Sequence, residues 1–415
     1  MDELRPDAKQ NWLNLTSNDF DELLPIASKA AKASKSSAQV KTIFKLFSLG
    51  VVTARDEWVY DRSETDLETK VRFLIDAYNA DVSKLFTERR DAGLANKLDY
   101  SIKWTRAVKN DLRNRVEYSY LPDLVRRSLY RPFFSQSMYF SKQLNEMQYL
   151  QREVFAHHEQ NIAISISGCP ASKPFQCLAV DAAPSYDFLE KTQTLPLYRY
   201  ALGQRIDNIT DWSLAEFKKH YQPGRGKLAR TITKEAIFHY VYAVLHDPLY
   251  RETYAQNLKR EFPRIPLYGD SETTFWQWAA WGEALMALHI GYEQIAPFAL
   301  LRTDTADEKV RAAGQSPKVI LKADKATGHI AIDSETTLAG VPPEAWAYTL
   351  GNRCAIDWVL DQYKEKKPKD PTIREKFDTY RFKDHKEKVI DLLARVTTVS
   401  VETVRIVAAM KGAAR

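Results

Sequence analysis

Residues 273 to 293, "TTFWQWAAWGEALMALHIGYE", constrain this chain more than any other stretch. Read at helical spacing the segment is apolar on nearly every side, and such a helix must be covered by other elements rather than laid on a surface. The remainder has the means: 415 residues, 44% hydrophobic and 27% charged, can bury a sizeable core. The longest apolar runs, Val396 to Val401 and Ala236 to Leu245, carry polar residues or fall far short of the roughly 20 that a bilayer crossing needs. No membrane span is expected. The start, "MDELRPDAKQNW", is acidic from its second residue and reads as neither a secretory signal nor a transit peptide, so a cytoplasmic location is expected.

Local rules place the other elements. Leu67, Val71, Leu74, Ile75, Tyr78 and Val82 recur at helical spacing behind Ser63 and Thr65 as caps. Short strands are expected in "IFKLFSLGVVTARDEWVY" and in "QNIAISISGCPASKPFQCLAVDAAPSYDFL", where Gly and Pro mark tight turns. "DWSLAEFKKHYQ" reads as a short amphipathic helix with lysines in its last turn. In "FHYVYAVLHDPLYRETYAQNLKREFPRIPLY" the aromatics fall on periodic core positions. Thr233 caps the first helix, Asp247-Pro248 starts a second, and Pro263 ends it, giving a helical hairpin. "KVILKADKATGHIAIDSETTLAGVP" is a β-hairpin turning at "KATGH". Pro342-Pro343-Glu344 opens a helix running through "AWAYTLGNRCAIDWVLDQYKE", and a Lys-rich, mixed-charge segment precedes a last helix from about Lys386 to Met410. The predicted class is α+β, with mixed small β-sheets and helical hairpins.

Charge is uneven although the net value is only +6. Between 101 and 135, Lys103, Arg106, Lys109, Arg113, Arg115, Arg126, Arg127 and Arg131 face only Asp111, Glu117 and Asp123. Residues 218 to 234 hold Lys218, Lys219, Arg225, Lys227, Arg230 and Lys234 with no acid, and Gly224 and Gly226 beside Arg225 allow close backbone approach. Both groups suit a phosphate backbone, and both also suit solvent; Arg126, Arg127 and Arg131, set among aromatics, suit stacking or a carboxylate partner. The Lys/Ala/Ser run from Lys29 to Lys41 reads as linker or exposed arm.

The spacings that catalysis leaves are missing: no phosphate loop, no dinucleotide fingerprint, no nucleophile elbow, no HExxH and no methyltransferase Pro-Pro-Tyr tetrapeptide. Cys169, Cys177 and Cys354 form no CxxC pair and no ligand comb, so reduced thiols are expected and no metal site is predicted. His157-His158 reads as a solvated pair. His239 and His246 lie seven apart on one helical face without a second ligand pattern nearby and read as hydrogen-bonded structural residues; with Asp247 they are also the place where a stand-alone DNA-modifying or hydrolytic enzyme would keep its site.

Five ordered segments carry a resemblance: "FSLGVVTARDEWVYDRSETDLETKVRFLIDAYN", "RRSLYRPFFSQSMYF", "SISGCPASKPFQCLAVDAAPSYDFLEKTQTLPLYRY", the aromatic segment from Phe238 to Tyr268, and "PEAWAYTLGNRCAIDWVLDQYKEK". Over about residues 40 to 370 the chain resembles the C-terminal specificity region of the type ISP restriction-modification enzymes, large bacterial proteins that join a nuclease, a helicase-like ATPase, an adenine methyltransferase and a DNA target recognition domain. It departs from the pattern after Tyr130-Arg131-Pro132-Phe133, where Phe134 and Gln136 stand in place of an acid and an Arg. The resemblance implies a linker and helical connector over 1–100, a target recognition domain over 101–330, and a β-hairpin with a C-terminal helical region over 331–415. It implies sequence-specific binding of double-stranded DNA with no catalytic residues of its own. The methyltransferase and helicase-like nuclease would act in cis or trans, and S-adenosylmethionine, ATP and Mg²⁺ would serve those modules alone. Lys103, Arg106, Lys109, Arg113, Arg126, Arg127, Arg131, Lys218, Lys219, Arg225, Lys227, Arg230 and Lys234 are the candidate DNA contacts.

Overall fold

A computed structural model gives the fold and describes residues 6, 16, 18–34, 40–87, 98–222, 230–308 and 312–415. Strand β1 (Ser48–Leu49) and strand β2 (Tyr60–Asp61) lead into α1 (Glu64–Thr87). The Ser63 hydroxyl accepts the Asp66 N–H at 3.2 Å, and the six apolar residues predicted at helical spacing are all buried. Helix α2 (Arg106–Arg113) precedes β3 (Val125–Arg131) and β4 (Phe134–Tyr139), and β2, β4 and β3 pair in that order. Next come β5 (Ala163–Ile166), β6 (Cys177–Val180) and β7 (Gln193–Pro196), which with β1 make an antiparallel sheet ordered β1-β7-β5-β6. Among the described residues, strands β8 (Tyr198–Ala201) and β9 (Gln204–Asp207) pair only with each other.

The helices that follow are α3 (Asp211–Tyr221), α4 (Lys234–Val244), α5 (Pro248–Thr253), α6 (Ala255–Arg260) and α7 (Glu272–Ile290). Thr233 caps α4 by accepting the Ala236 N–H at 3.1 Å, and Asp247 caps α5 by accepting the Leu249 N–H at 3.2 Å. The stretch after the Asp-Pro corner is two short helices that break at Tyr254, and the long neighbour of α4 is α7 rather than either of them. The two helices meet at Gly282, where an added Cβ would stand 1.8 Å from the His239 carbonyl oxygen. Backbone contact this close admits no side chain.

Helix α7 departs from the all-round burial that its sequence suggests. Phe275, Trp278, Ala279, Gly282, Leu285, Met286 and His289 form one buried face, while Ala280, Glu283, Ala284 and Ala287 meet solvent. A four-stranded sheet follows, β10 (Leu301–Asp304), β11 (Val319–Asp324), β12 (His329–Asp333) and β13 (Thr336–Ala339), ordered β10-β13-β12-β11, so the predicted hairpin is its β11–β12 half. The helix expected from Pro343 onward is interrupted: α8 (Pro343–Ala347) ends before a small hairpin turning at Gly351, φ +66°, and α9 (Ala355–Tyr363) starts afresh. Helix α10 (Lys386–Met410) has the predicted bounds.

Two hydrophobic cores result, and each draws on distant parts of the chain. Alternation along a strand sends neighbouring side chains to opposite faces. Leu178 and Val180 of β6 therefore join the first core with α1, α2, β3, β4 and α9, while Cys177 and Ala179 join the second with α4 and α7. The β1-β7-β5-β6 sheet is thus a partition covered on both faces. Helix α10 serves both cores, through Val389 to Val399 in one and Ile406 and Met410 in the other.

Candidate nucleic-acid interface

Helix α2 carries the first group of predicted cations. Val108 and Leu112 turn inward, so Arg106, Lys109 and Arg113 project outward along one face, with the exposed Lys103 just ahead of the helix. Arg55, 2% exposed, anchors the helix start by donating to the Thr105 hydroxyl, and burial lowers its pKa to about 10 while Tyr118 and Glu146 act to raise it. Arg106 reaches Glu146 at 3.4 Å. Lys103, Lys109 and Arg113 have no ion-pair partner among the described residues.

On β3 the three arginines have three different surroundings. Arg126 lies over the Phe140 ring, 5.2 Å from its centroid, and donates to the Phe155 carbonyl; burial, then Arg152, lowers its pKa. Arg127 pairs with Asp181 at 2.7 Å. Arg131, re-aimed by an irregularity in the β3–β4 register after Leu129, covers the Tyr130 ring and donates to the Tyr130 carbonyl at 2.6 Å and the Ser185 hydroxyl at 3.2 Å. Its charge meets no carboxylate among the described residues.

Arg131 and Lys103 line one cavity of about 750 Å³ together with Lys369. A second, of about 440 Å³, shares Asp56, Glu57, Tyr130, Arg131 and Lys369 with it and extends to Arg62, Gln136, Lys364 and Lys367. A third, of about 710 Å³, joins at Lys364 and is lined by Lys318, Lys383 and Lys386. The first two overlap as one groove over the first core, and the third meets it only at Lys364.

The sign of the field in this groove depends on which charges are already satisfied. Asp56 accepts the Tyr130 hydroxyl at 2.9 Å, and Glu57 accepts the backbone N–H groups of Lys369 and Asp370, both at 2.8 Å. Asp61 is held by Lys70 at 2.6 Å, Asp361 by Arg353 and Lys366 at 3.1 Å each, and Asp333 by Lys386 at 2.7 Å. Asp370 accepts the Trp58 indole N–H and caps the turn at Pro371. Arg62, by contrast, stacks 3.9 Å over the Tyr380 ring and donates to the Gln362 carbonyl. Lys103, Lys364, Lys367 and Lys369 project with no carboxylate within ion-pair range among the described residues. Most of these acids are bound within the wall; Asp187, exposed in the first cavity, has no ion-pair partner among the described residues, but the free lysines and Arg131 outnumber it, which makes the groove attractive to a polyanion.

Three of the contributing lysines, Lys364, Lys367 and Lys369, lie in "KEKKPKD", a segment whose charge was legible but whose place opposite β3 was not. At the departure from the family pattern, Phe134 is a packing residue, its ring 5.2 Å from that of Tyr363, while Gln136 lines the groove.

The second predicted group sits on elements of the other core. Lys218 and Lys219 occupy the last turn of α3, and Arg230 stacks over Trp276, 3.8 Å from its ring centroid. Lys234 is bound to Asp211 at 2.7 Å and Asp207 at 3.2 Å. Burial would lower its pKa, but these hydrogen bonds outweigh it and raise it. Arg225 and Lys227 lie outside the described residues.

His239, His246 and Asp247 do not form a site together. His239 lines a small surface cavity of about 170 Å³ with Arg230, Glu235 and Glu283. His246 is buried, its Nδ1 2.8 Å from the Tyr242 carbonyl and its ring beside His289. Asp247, 0% exposed, is consumed by the fold: it caps α5, accepts the Tyr268 hydroxyl at 2.7 Å, and takes both Nε and an Nη of Arg415 at 3.1 and 2.7 Å. Among the described residues no group of three or more His, Cys, Asp or Glu converges as a metal site, and no helix is long and apolar enough to cross a membrane.

A family model described as the Type ISP C-terminal specificity domain matches residues 42–392. Among solved structures the chain is similar to the one described as a DrdV–DNA complex, at 52% identity and a TM-score of 0.87 over 98% of this chain and 40% of that one. It is similar in fold to a nuclease-deletion mutant of the Type ISP restriction-modification enzyme LlaGI in complex with a DNA substrate mimic, at 24% identity and a TM-score of 0.78 over 98% of this chain and 35% of that one. The ATP-dependent Type ISP restriction-modification enzyme LlaBIII bound to DNA gives 24% identity and a TM-score of 0.79 over 98% of this chain and 25% of that one. The chain therefore spans well under half the length of each. No curated protein matches it.

Proposed function

Given that the chain belongs to the Type ISP C-terminal specificity domain family, we propose that it recognises a short sequence in double-stranded DNA and thereby directs an adenine methyltransferase and a helicase-like nuclease supplied in cis or trans. The observation that carries this reading is the likeness to the chain in the DrdV–DNA complex, 52% identical over 98% of these residues. The groove from Lys103 through Arg131 and Lys369 to Lys364 supports it, because phosphate contacts set affinity and register while a smaller set of groups reads base edges. The family points to a recognition module, and in this reading the isolated chain breaks and makes no bonds. S-adenosylmethionine, ATP and Mg²⁺ belong to the partner modules, and the chain works in the cytoplasm, where those modules meet DNA.

Selection of bound duplexes from a random pool by the purified 415-residue chain tests the reading. An enriched motif is expected, with affinity that falls steeply as salt rises. Flat titrations at low salt with no enrichment would overturn it, as would Mg²⁺-dependent cleavage or S-adenosylmethionine binding by the isolated chain.

A further inference from the structure

The β8–β9 hairpin departs from the local rules for a tight turn at one residue, Leu202. Ala201 pairs with Gln204, leaving a two-residue loop in which Leu202 and Gly203 both have positive φ, +52° and +74°. That is the type I′ geometry, in which Asn, Asp or Gly is favoured at the first position because a Cβ is strained there. A leucine occupies it, and its side chain is 104% exposed. Leu202 thus gains nothing from burial and strains the turn, so the fold gives no reason for it.

The hairpin's root is as firm as its tip is free. Asn161 clamps the Tyr198 backbone by donating to its carbonyl at 2.8 Å and accepting its N–H at 3.3 Å, and the Tyr200 hydroxyl donates to the Gln160 carbonyl at 2.7 Å. Asn208, fully buried, ties the exit to Leu46 and Pro196. Arg205 stacks on Tyr198, 4.5 Å from its ring centroid, and Gln204 and Arg205 are both exposed beside the tip on opposite faces of the ribbon. The hairpin's one carboxylate, Asp207, is taken by Lys234 at 3.2 Å, so Arg199 and Arg205 leave the ribbon positively charged.

We propose that this hairpin is the base-reading probe of the domain: it enters the major groove of the bound duplex, Leu202 packs against base edges, and Gln204 and Arg205 hydrogen-bond to bases on either side. The inference rests on the DNA-recognition reading and deepens it. A two-stranded ribbon is one of the two elements that the major groove admits, and Arg to guanine, Gln to adenine and an apolar tip to a thymine methyl are the pairings that geometry favours there. A rigid root with a projecting cationic tip is the build such a probe requires.

Leu202→Asn is the informative variant, because asparagine suits the turn and cannot supply the apolar contact. Thermal melts and Kd values for the duplex enriched by the parent chain, against a scrambled duplex, are measured on the full chain. The variant should melt no lower than the parent, bind scrambled DNA within about twofold of it, and lose discrimination by about 4-fold or more, the worth of about one buried methylene. Gln204→Ala and Arg205→Ala should each relax preference at a single base position. If discrimination stays at the parent's value in all three, the hairpin proposal falls while DNA recognition stands; if Leu202→Asn melts lower, Leu202 serves the fold and the proposal equally falls. If the parent chain itself discriminates nothing, both readings fall together.

Discussion

Removing Lys103, Lys367 and Lys369 together measures how much of the binding runs through the groove. All three are exposed, and none has an ion-pair partner among the described residues, so alanine at each position should leave stability within about 0.5 kcal/mol of the parent. Each phosphate contact contributes about 0.9 to the slope of log K against log salt concentration, so losing three should shallow the slope by about 2.7. Between 50 and 200 mM salt, a change of about 0.6 in the logarithm, the parent should lose about 40-fold more affinity than the triple variant. Fluorescence anisotropy with a labelled duplex at four or five salt concentrations gives both slopes, and far-ultraviolet circular dichroism checks the fold. Lys325→Ala is the matched control: its ammonium is bound to Asp357 at 2.7 Å and lines none of the groove cavities, so its slope should change by less than one contact's worth. An unaltered slope in the folded triple variant would refute the assignment of the groove to the phosphate backbone.

Two further outcomes concern the scaffold. Asp247→Ala strips the acceptor from a buried bidentate pair with Arg415 and from Tyr268 and the α5 cap, and should cost about 3–5 kcal/mol by urea unfolding, with strong coupling to Arg415→Ala in a double-mutant cycle. Burial lowers the pKa of both His246 and His289, the latter to about 3 with a smaller push from Arg251, while the unfolded chain titrates near 6.5. The unfolded state therefore binds more protons below pH 6.5, so this part of the stability is complete above that value and is lost as pH falls toward about 3, at up to about 1.4 kcal/mol per pH unit for each histidine. Urea midpoints at pH 7.5 and 5.5 should differ more for the parent than for the His246→Gln/His289→Gln variant; equal shifts would sink the assignment.

What was legible in the sequence followed rules that act within a few residues. Thr233 as a cap, the Asp247-Pro248 start and the bounds of Lys386–Met410 depend on local backbone and side-chain chemistry, and the fold keeps them. The misreadings have a common cause in alanine and in short turns. Ala280, Ala284 and Ala287 count as apolar yet sit in solvent without penalty, so α7 looked buried all round when only one face is. Helical spacing in "AWAYTLGNRCAIDW" ran across Gly351, although its positive φ and the nearness of Gln176, 3.0 Å from where a Cβ would stand, reserve that position for a tight turn. The groove was hidden for a different reason. Whether a lysine is free depends on which acids the fold brings to it: Lys234 meets Asp207 and Asp211, while Lys369 lends only its backbone N–H to Glu57. No spacing along the chain encodes that difference.

The groove and the hairpin belong to different cores, with the β1-β7-β5-β6 sheet between them, and this separation makes a statement about how recognition is divided. The Lys103/Lys367/Lys369 variant and Leu202→Asn share no contact residue, so on a duplex that stays straight their effects on binding free energy should add within about 0.5 kcal/mol. The first should alter the salt slope and leave base preference alone; the second should do the reverse. If instead removing the groove lysines also erodes preference, the two surfaces are coupled, and because the variants share no contact residue the DNA itself is the first route to test. The groove would then be holding the duplex in a bent form that the hairpin requires, and the cost of that bend would enter preference at positions that no side chain touches. Measuring the double variant against enriched and scrambled duplexes at two salt concentrations separates these cases: additivity assigns phosphate and base contacts to independent surfaces, and a shortfall larger than about 1 kcal/mol would refute that independence.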